Sequence, residues 1–193
     1  MTARRSYRLG KRAAAVEQTR RRILEAAFGE FTEKGIRNTS LLAVARRADV
    51  ASGTVLYHFP TIDALAVAVV DDLQAQVGMP APGAIPTGMR PEVRVRRLIE
   101  LMYRFYERTS RLYPFFRVNE HHPVLQSGLA EYQTAFADLI GRTAGGKSAL
   151  TRRAALAAIA DVSFYASLTG QGLSTEQAIK AATVLAESAV GHR

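Results

Sequence analysis

A chain of 193 residues, 48% of them apolar, can bury the core of one or two domains, and with no cysteine it has neither a disulfide framework nor a thiolate metal site. It is basic throughout, with 26 Lys/Arg against 17 Asp/Glu, but unevenly so: residues 1–59 hold 12 basic and 5 acidic residues, a net of +7, and the remainder only +2. That asymmetry suits a polyanionic partner such as nucleic acid at the N-terminal end, although a solvated basic arm accounts for the charge equally well.

Residues 1–15 are polar, basic and weakly patterned. They read as a disordered or partly helical arm whose Arg4, Arg5 and Arg12 would reach a minor groove or lie along phosphates. Residues 16–34 form the first full helix, with Ile23, Ala27 and Phe31 in one stripe, widened by Leu24 and Phe28. Arg20, Arg21 and Arg22 lie near its start, the end where the helix dipole disfavours cations; phosphates or solvent would offset that. Gly35 fits a left-handed position just past the helix end, and Thr39 or Ser40 can cap the helix that follows.

Residues 39–59 read as two short helices joined by a tight turn. Leu41, Val44, Ala45 and Ala48 give the first an apolar face. Asp49 sits at the turn, where Asp tolerates left-handed backbone. The second helix starts at Ala51 or Ser52, takes Val55, Leu56 and Phe59 as apolar positions, and ends before Pro60. This is a helix-turn-helix, and its second helix fits a DNA major groove. The exposed candidates there are Ser52, Gly53, Thr54, Tyr57 and His58: Gly53 allows close backbone approach, and the hydroxyls reach phosphates or base edges. The helix carries no Arg, Asn or Gln, so sequence reading must come from Ser52, Thr54, apolar contact to thymine methyls, the arm or DNA shape.

A fourth helix spans residues 61–77, with Thr61 as cap, Asp63 in the first turn, and Leu65, Val69 and Leu73 facing inward. The Pro- and Gly-rich stretch 78–91 is a loop, which divides the chain into an arm (1–15), a helix-turn-helix domain (16–77) and a C-terminal domain (78–193). In the C-terminal domain, Val95, Leu98, Met102 and Phe105 stripe a helix over 92–109. A short helix follows Tyr113-Pro114-Phe115-Phe116, and Pro123 opens one carrying Leu125, Leu129, Tyr132, Phe136 and Leu139. Ser148 caps a helix to about Leu168. Ser174-Thr175-Glu176-Gln177 is a capping box before the last helix, which carries Ala178, Ala182, Leu185 and Ala189. No stretch alternates as a strand, so the fold class is all-α, with about nine helices.

Residues 141–148 match a phosphate-binding loop pattern letter for letter. Such a loop must join a buried strand to a helix, and here a helical stripe precedes it. A helix stop, a glycine turn and a serine cap is the simpler reading. His121-His122 beside Glu120 offers no third ligand, so no metal is expected. No nucleophile elbow, paired carboxylate or metalloprotease motif is present, so neither an enzyme nor a cofactor is expected. No apolar segment follows Arg4-Arg5, and the run 154–168 is broken by Asp161 and too short to span a bilayer. The expected setting is the cytoplasm, without a membrane.

Ile23, Leu24, Ala26, Ala27 and Phe31, then Gly35, Thr39-Ser40, Gly53-Thr54 and Tyr57-His58-Phe59 carry, in that order and spacing, a family likeness. From about Thr19 to Leu65 the chain resembles the DNA-binding domain of the TetR family of bacterial transcriptional regulators. It departs from the family pattern at Asp49 (usually glycine), Ala51 (a capping serine), Leu56 (often tyrosine) and Ile62 (a phosphate-contacting lysine). Tyr57 and His58 resemble the family's phosphate-contacting pair. The resemblance implies a homodimer on a palindromic double-stranded operator, acting as a repressor and released by a small effector held in the C-terminal domain. The ligand-binding candidates are Met102, Phe105, Phe116, Arg117, Tyr132, Phe136 and Phe164, and their character points to an apolar or aromatic effector. The last two helices, rich in Ala and Ser, would approach closely enough to form the dimer interface. The alternatives are a small-molecule-binding helical protein with a degenerate head, and a nucleotide-binding protein using Gly141 to Ser148.

Overall fold

A computed structural model describes residues 3–86, 88–145 and 150–190, with side chains described from Ala13 onward apart from those of Pro82, Ser127 and Val190. The described residues form ten α-helices and three short 3-10 turns, with no strand. The helices are α1 (Ala3–Lys34), α2 (Leu41–Arg47), α3 (Ser52–His58), α4 (Ile62–Val77), α5 (Pro91–Thr109), α6 (Tyr113–Asn119), α7 (Pro123–Ala144), α8 (Leu150–Ala160), α9 (Val162–Gly170) and α10 (Thr175–Val190).

The chain divides into two compact units. The first, the head, holds residues up to Gln76 together with Leu112–Ser127; the second, the body, holds Val77–Arg111 and Gly128 onward. The two units part first near residue 77. Residues 112–127, placed by the sequence pattern in the C-terminal domain, pack with the head. The reason is local chemistry at the end of α1. The helix stops at Gly35 (φ 82°), which leaves the Ile36 N–H and the Phe31 carbonyl near a buried corner. Asn119, 4% exposed, answers both: its Oδ1 accepts from Ile36 N (2.7 Å), and its Nδ2 donates to the Phe31 (2.9 Å) and Phe115 (2.8 Å) carbonyls. Buried helix-end groups need such partners.

The head core is built from Ile23, Ala27, Phe31, Ile36, Val44, Val55 and Leu65, all essentially inaccessible. α1 begins at Ala3 rather than Val16, so the backbone of the basic arm is helical; the run Ala13-Ala14-Ala15 and its Lys/Arg neighbours are good helix formers. Thr61 and Ser40 cap as the sequence suggests, accepting from Ala64 N and Ala43 N at 3.1 Å each.

In the body, α10 packs on α5 and α8. Its capping box is reciprocal: Ser174 N donates to Gln177 Oε1 (2.9 Å), and Gln177 N donates to Ser174 Oγ (3.3 Å). The expected helix from Ser148 to Leu168 is two helices. Asp161 adopts an extended backbone (φ −75°, ψ 153°), accepts from Ser163 N (2.8 Å) and starts α9. Asp competes for backbone N–H groups and so favours caps over helix interiors. The break leaves carbonyls at the end of α8 without helical partners, and two phenols from α5 meet them. Tyr103 donates to the Ile159 carbonyl (2.9 Å), and Tyr106 donates to that of Ala160 (3.0 Å).

Gly141 to Ala144 form the last turn of α7, and Gly145 has φ 75°. A helix, not a strand, therefore leads into the phosphate-loop pattern. Gly146, Lys147 and Ser148, including the expected Ser148 cap, lie outside the described residues.

Candidate nucleic-acid interface

α2 ends at Ala48, the chain turns through Asp49 (φ 52°), and α3 begins after Ala51. Val50 N donates back to the Ala45 carbonyl (3.1 Å), which closes the turn. No side chain caps α3, as expected from an alanine at position 51. α1 braces this turn from outside. The Arg22 guanidinium donates to the Ala48 (2.6 Å) and Asp49 (3.0 Å) carbonyls, and lies 3.6 Å from the Asp49 carboxylate. At the other end of α3, the Arg20 guanidinium sits over the Phe59 ring, 5.5 Å from its centroid. Two arginines of α1, two residues apart in sequence, therefore hold the turn that leads into α3 and the residue that ends it.

A third brace joins α2 to α1. Arg47 bonds Glu30 (3.2 Å) and Glu33 (2.8 Å), and Lys34 bonds the other oxygen of Glu30 (2.7 Å). The Lys34 hydrogen bond, with that of Arg47, holds the buried Glu30 carboxyl below the usual carboxylate range, against the burial that would raise it. Gly29 makes room: a Cβ there would stand 2.6 Å from the Arg47 guanidinium.

On α3, Val55 and Phe59 are buried, and Ser52, Gly53, Leu56 and Tyr57 are exposed. Thr54 and His58 are half-buried, on the flank of the helix. Leu56 was expected inward and is 51% exposed. The register explains it: Val55 and Phe59, four apart, share one face, and Leu56 shares the other with Ser52, four residues before it. Tyr57 is 81% exposed, its ring edge-on to that of His58. Thr39 is corrected in the other direction. It is buried, and its hydroxyl donates to the Gly35 carbonyl (2.9 Å), so it holds the loop and presents no group outward. Ser40 is exposed with its Oγ engaged in the α2 cap. Arg20 is half-buried under its cation–π contact. The side chains of Arg4, Arg5 and Arg12 lie outside the described residues. Arg21, Arg22 and Arg46 are exposed. The bracing role of Arg22 was not anticipated; its only sequence signal was its place in the triple-arginine run.

The ligand candidates separate. Met102, Phe105, Tyr132, Phe136 and Phe164 lie in or against the body core. Phe105 stacks on Tyr132 (6.4 Å) and Tyr132 on Phe136 (5.9 Å). The Tyr132 hydroxyl lies 2.9 Å from that of Tyr106, which already donates to Ala160, so Tyr132 must be the donor of the pair. Burial pushes both phenols above their ordinary pKa, so both stay protonated. Phe116 and Arg117 do not join this cluster: they sit, exposed, on α6 in the head. Asn119, the last residue of α6, is spent on the corner of α1. No group of metal-ligating residues forms among the described residues.

A turn of fixed register, an outward α3 face bearing no internal partner, and arginines at the turn before that helix and at its end form a helix-turn-helix whose second helix is free to meet a DNA groove. Residues 23–69 match the model of the bacterial regulatory proteins of the TetR family. The HTH-type transcriptional regulator RutR of Escherichia coli (strain K12) is 31% identical over 107 residues, which cover 54% of this chain and 50% of that protein. A TetR-family structure from Streptomyces coelicolor A3 is 28% identical with a TM-score of 0.56, covering 86% of this chain and 97% of that one. The multidrug binding protein EbrR, complexed with imidazole, is 27% identical with a TM-score of 0.54, covering 87% and 89%. The chain spans about half the length of the curated relatives it matches. Among the described residues no single helix is long and apolar enough to cross a membrane.

Proposed function

We propose that this protein is a ligand-responsive transcriptional repressor that binds a palindromic operator as a homodimer in the cytoplasm. The observation that carries the reading is the outward face of α3, which has no internal partner and is positioned by Arg22 on the turn before it and Arg20 at its end. Ser52, Gly53 and Tyr57 would meet the major groove, and Thr54, His58 and Ser40 the flanking phosphates. Dimerisation through the last helices is supported by exposed apolar side chains there, Leu150 on α8 and Val184 and Leu185 on α10. The effector is proposed to enter the body at Phe105, Tyr132, Phe136 and Phe164, beside Met102. Half-buried, stacked rings favour a flat, largely apolar molecule, and the related EbrR, also solved with ethidium, supports that class. Effector binding would favour a dimer whose heads no longer match the operator, and by linkage DNA would weaken effector binding equally.

The test is selection of genomic fragments by the purified protein at physiological salt. One enriched palindrome, bound by two subunits, is the expected result; sequence-blind binding or none would overturn the reading. Arg20→Ala should lower affinity for all sequences and flatten the salt slope by roughly one unit. Thr54→Ala should weaken specific and random DNA alike, as befits a flank residue.

A further inference from the structure

We propose that Leu56 is a specificity-determining residue that selects thymine, by burying the C5 methyl group in the major groove. The inference rests on the DNA-binding reading and extends it to one side chain. Leu56 is 51% exposed at the centre of the outward face of α3, and it cannot turn inward, because Val55 and Phe59 anchor the opposite face at 0% and 4% exposure. The helix carries no Arg, Lys, Asn or Gln. The two-pronged hydrogen bonds that identify guanine or adenine are therefore unavailable from it. What base pairs offer an aliphatic side chain in that groove is the thymine methyl, their one apolar group.

Gly53, one turn earlier on the same face, sharpens the case. A Cβ at Gly53 would have no atom within 4 Å, so no internal contact requires glycine there. A glycine inside a helix weakens it. Its use here is to let the backbone, and with it the Leu56 side chain, come close to a partner's surface. That partner is DNA and not an apolar protein face, because residues 1–59, which include α3, carry a net +7 of the chain's +9, and Arg22 and Arg20 stand at the turn before α3 and at its last residues.

The experiment compares thymine with uracil, which lacks only the methyl. The full-length protein selects a duplex from a random-sequence pool, and affinity is measured for that duplex and for the same duplex with every thymine replaced by uracil. Wild type should lose about fourfold for each methyl buried, or about fifteenfold for one in each of two half-sites. Leu56→Ala should bind the two duplexes equally, and replacing thymines singly should locate the loss at one base pair per half-site. Because Leu56 is exposed, the variant should keep the wild-type unfolding temperature, and the thymine-to-uracil ratio within each protein cancels any change in DNA stiffness. Equal binding of both duplexes by wild type overturns the proposal and leaves the DNA-binding reading intact. So does a thymine preference that survives in Leu56→Ala. Failure to select any sequence overturns both.

Discussion

Head and body solve the same problem with different groups. Each contains a helix end whose backbone polar groups are buried, and each satisfies them from a distant part of the chain. In the head a single carboxamide, Asn119, accepts from the Ile36 N–H and donates to the Phe31 carbonyl, which also accepts from Gly35 N. In the body the end of α8 presents only carbonyls, and the phenols of Tyr103 and Tyr106, which have one proton each to give, are enough. The rest of the two units diverges. The head leaves the α3 face without internal partners, ready for a rigid surface. The body's aromatic side chains are tied to one another, so a ligand entering among them must displace ring contacts. On the proposed reading, DNA meets a preformed face and the effector a site that has to open.

The largest expected effect tests the head side of this comparison. Asn119→Leu strips the Ile36 N–H and the Phe31 carbonyl of this side chain in a buried corner, and should destabilise the protein by about 2–4 kcal/mol in urea unfolding. A change below about 0.5 kcal/mol would mean that water replaces the carboxamide. Tyr106→Phe should cost less, about 1–2 kcal/mol, because the ring remains and the groups it leaves are a carbonyl, which can go under-satisfied, and the half-buried Tyr132 hydroxyl, which can turn to water. If the two losses come out equal, the donor-plus-acceptor distinction between the units fails. Gly53→Ala should move two quantities in opposite directions: stability rises by up to about 1 kcal/mol, and DNA affinity falls. Stability and affinity rising together would show that position 53 does not approach DNA. The smallest effect concerns pH. The folded-state pKa of Glu30 is depressed, so its contribution is present above the usual carboxylate range and is lost as pH falls through that range toward the lowered value. Glu30→Gln should therefore flatten the acid limb of the stability profile, measured as unfolding temperature against pH, and leave the limb above neutrality unchanged.

Much of the head was legible because its signals are local. Gly35 past α1, Ser40 and Thr61 as caps, and Asp49 in left-handed backbone each depend on neighbours within four residues. The same holds for the Ser174–Gln177 box in the body. Leu56 was misread although its register was available: an exposed leucine breaks no rule of burial, since apolar residues need not all be inside. Thr39 was misread because a hydroxyl beside a recognition motif looks free until the Gly35 carbonyl is found within reach. Asp161 carried a capping signal, but the apolar residues on both sides of it made one helix look natural.

By itself the sequence determined that the chain is helical, where most helices start and stop, and that residues 39–59 form a helix-turn-helix with a basic surround, because periodicity, caps and charge act over a turn or two of helix. Only the tertiary structure decided that 112–127 packs with the head, that Arg22 and Arg20 hold the turn before α3 and the residue that ends it, and that Phe116 and Arg117 stand apart from the aromatic cluster. The partners lie 26 and 27 residues from Arg22, and 83 and 88 residues from Asn119 for its bonds to Ile36 and Phe31. At such separations any of several polar side chains could have met the same backbone groups, and packing chooses among them.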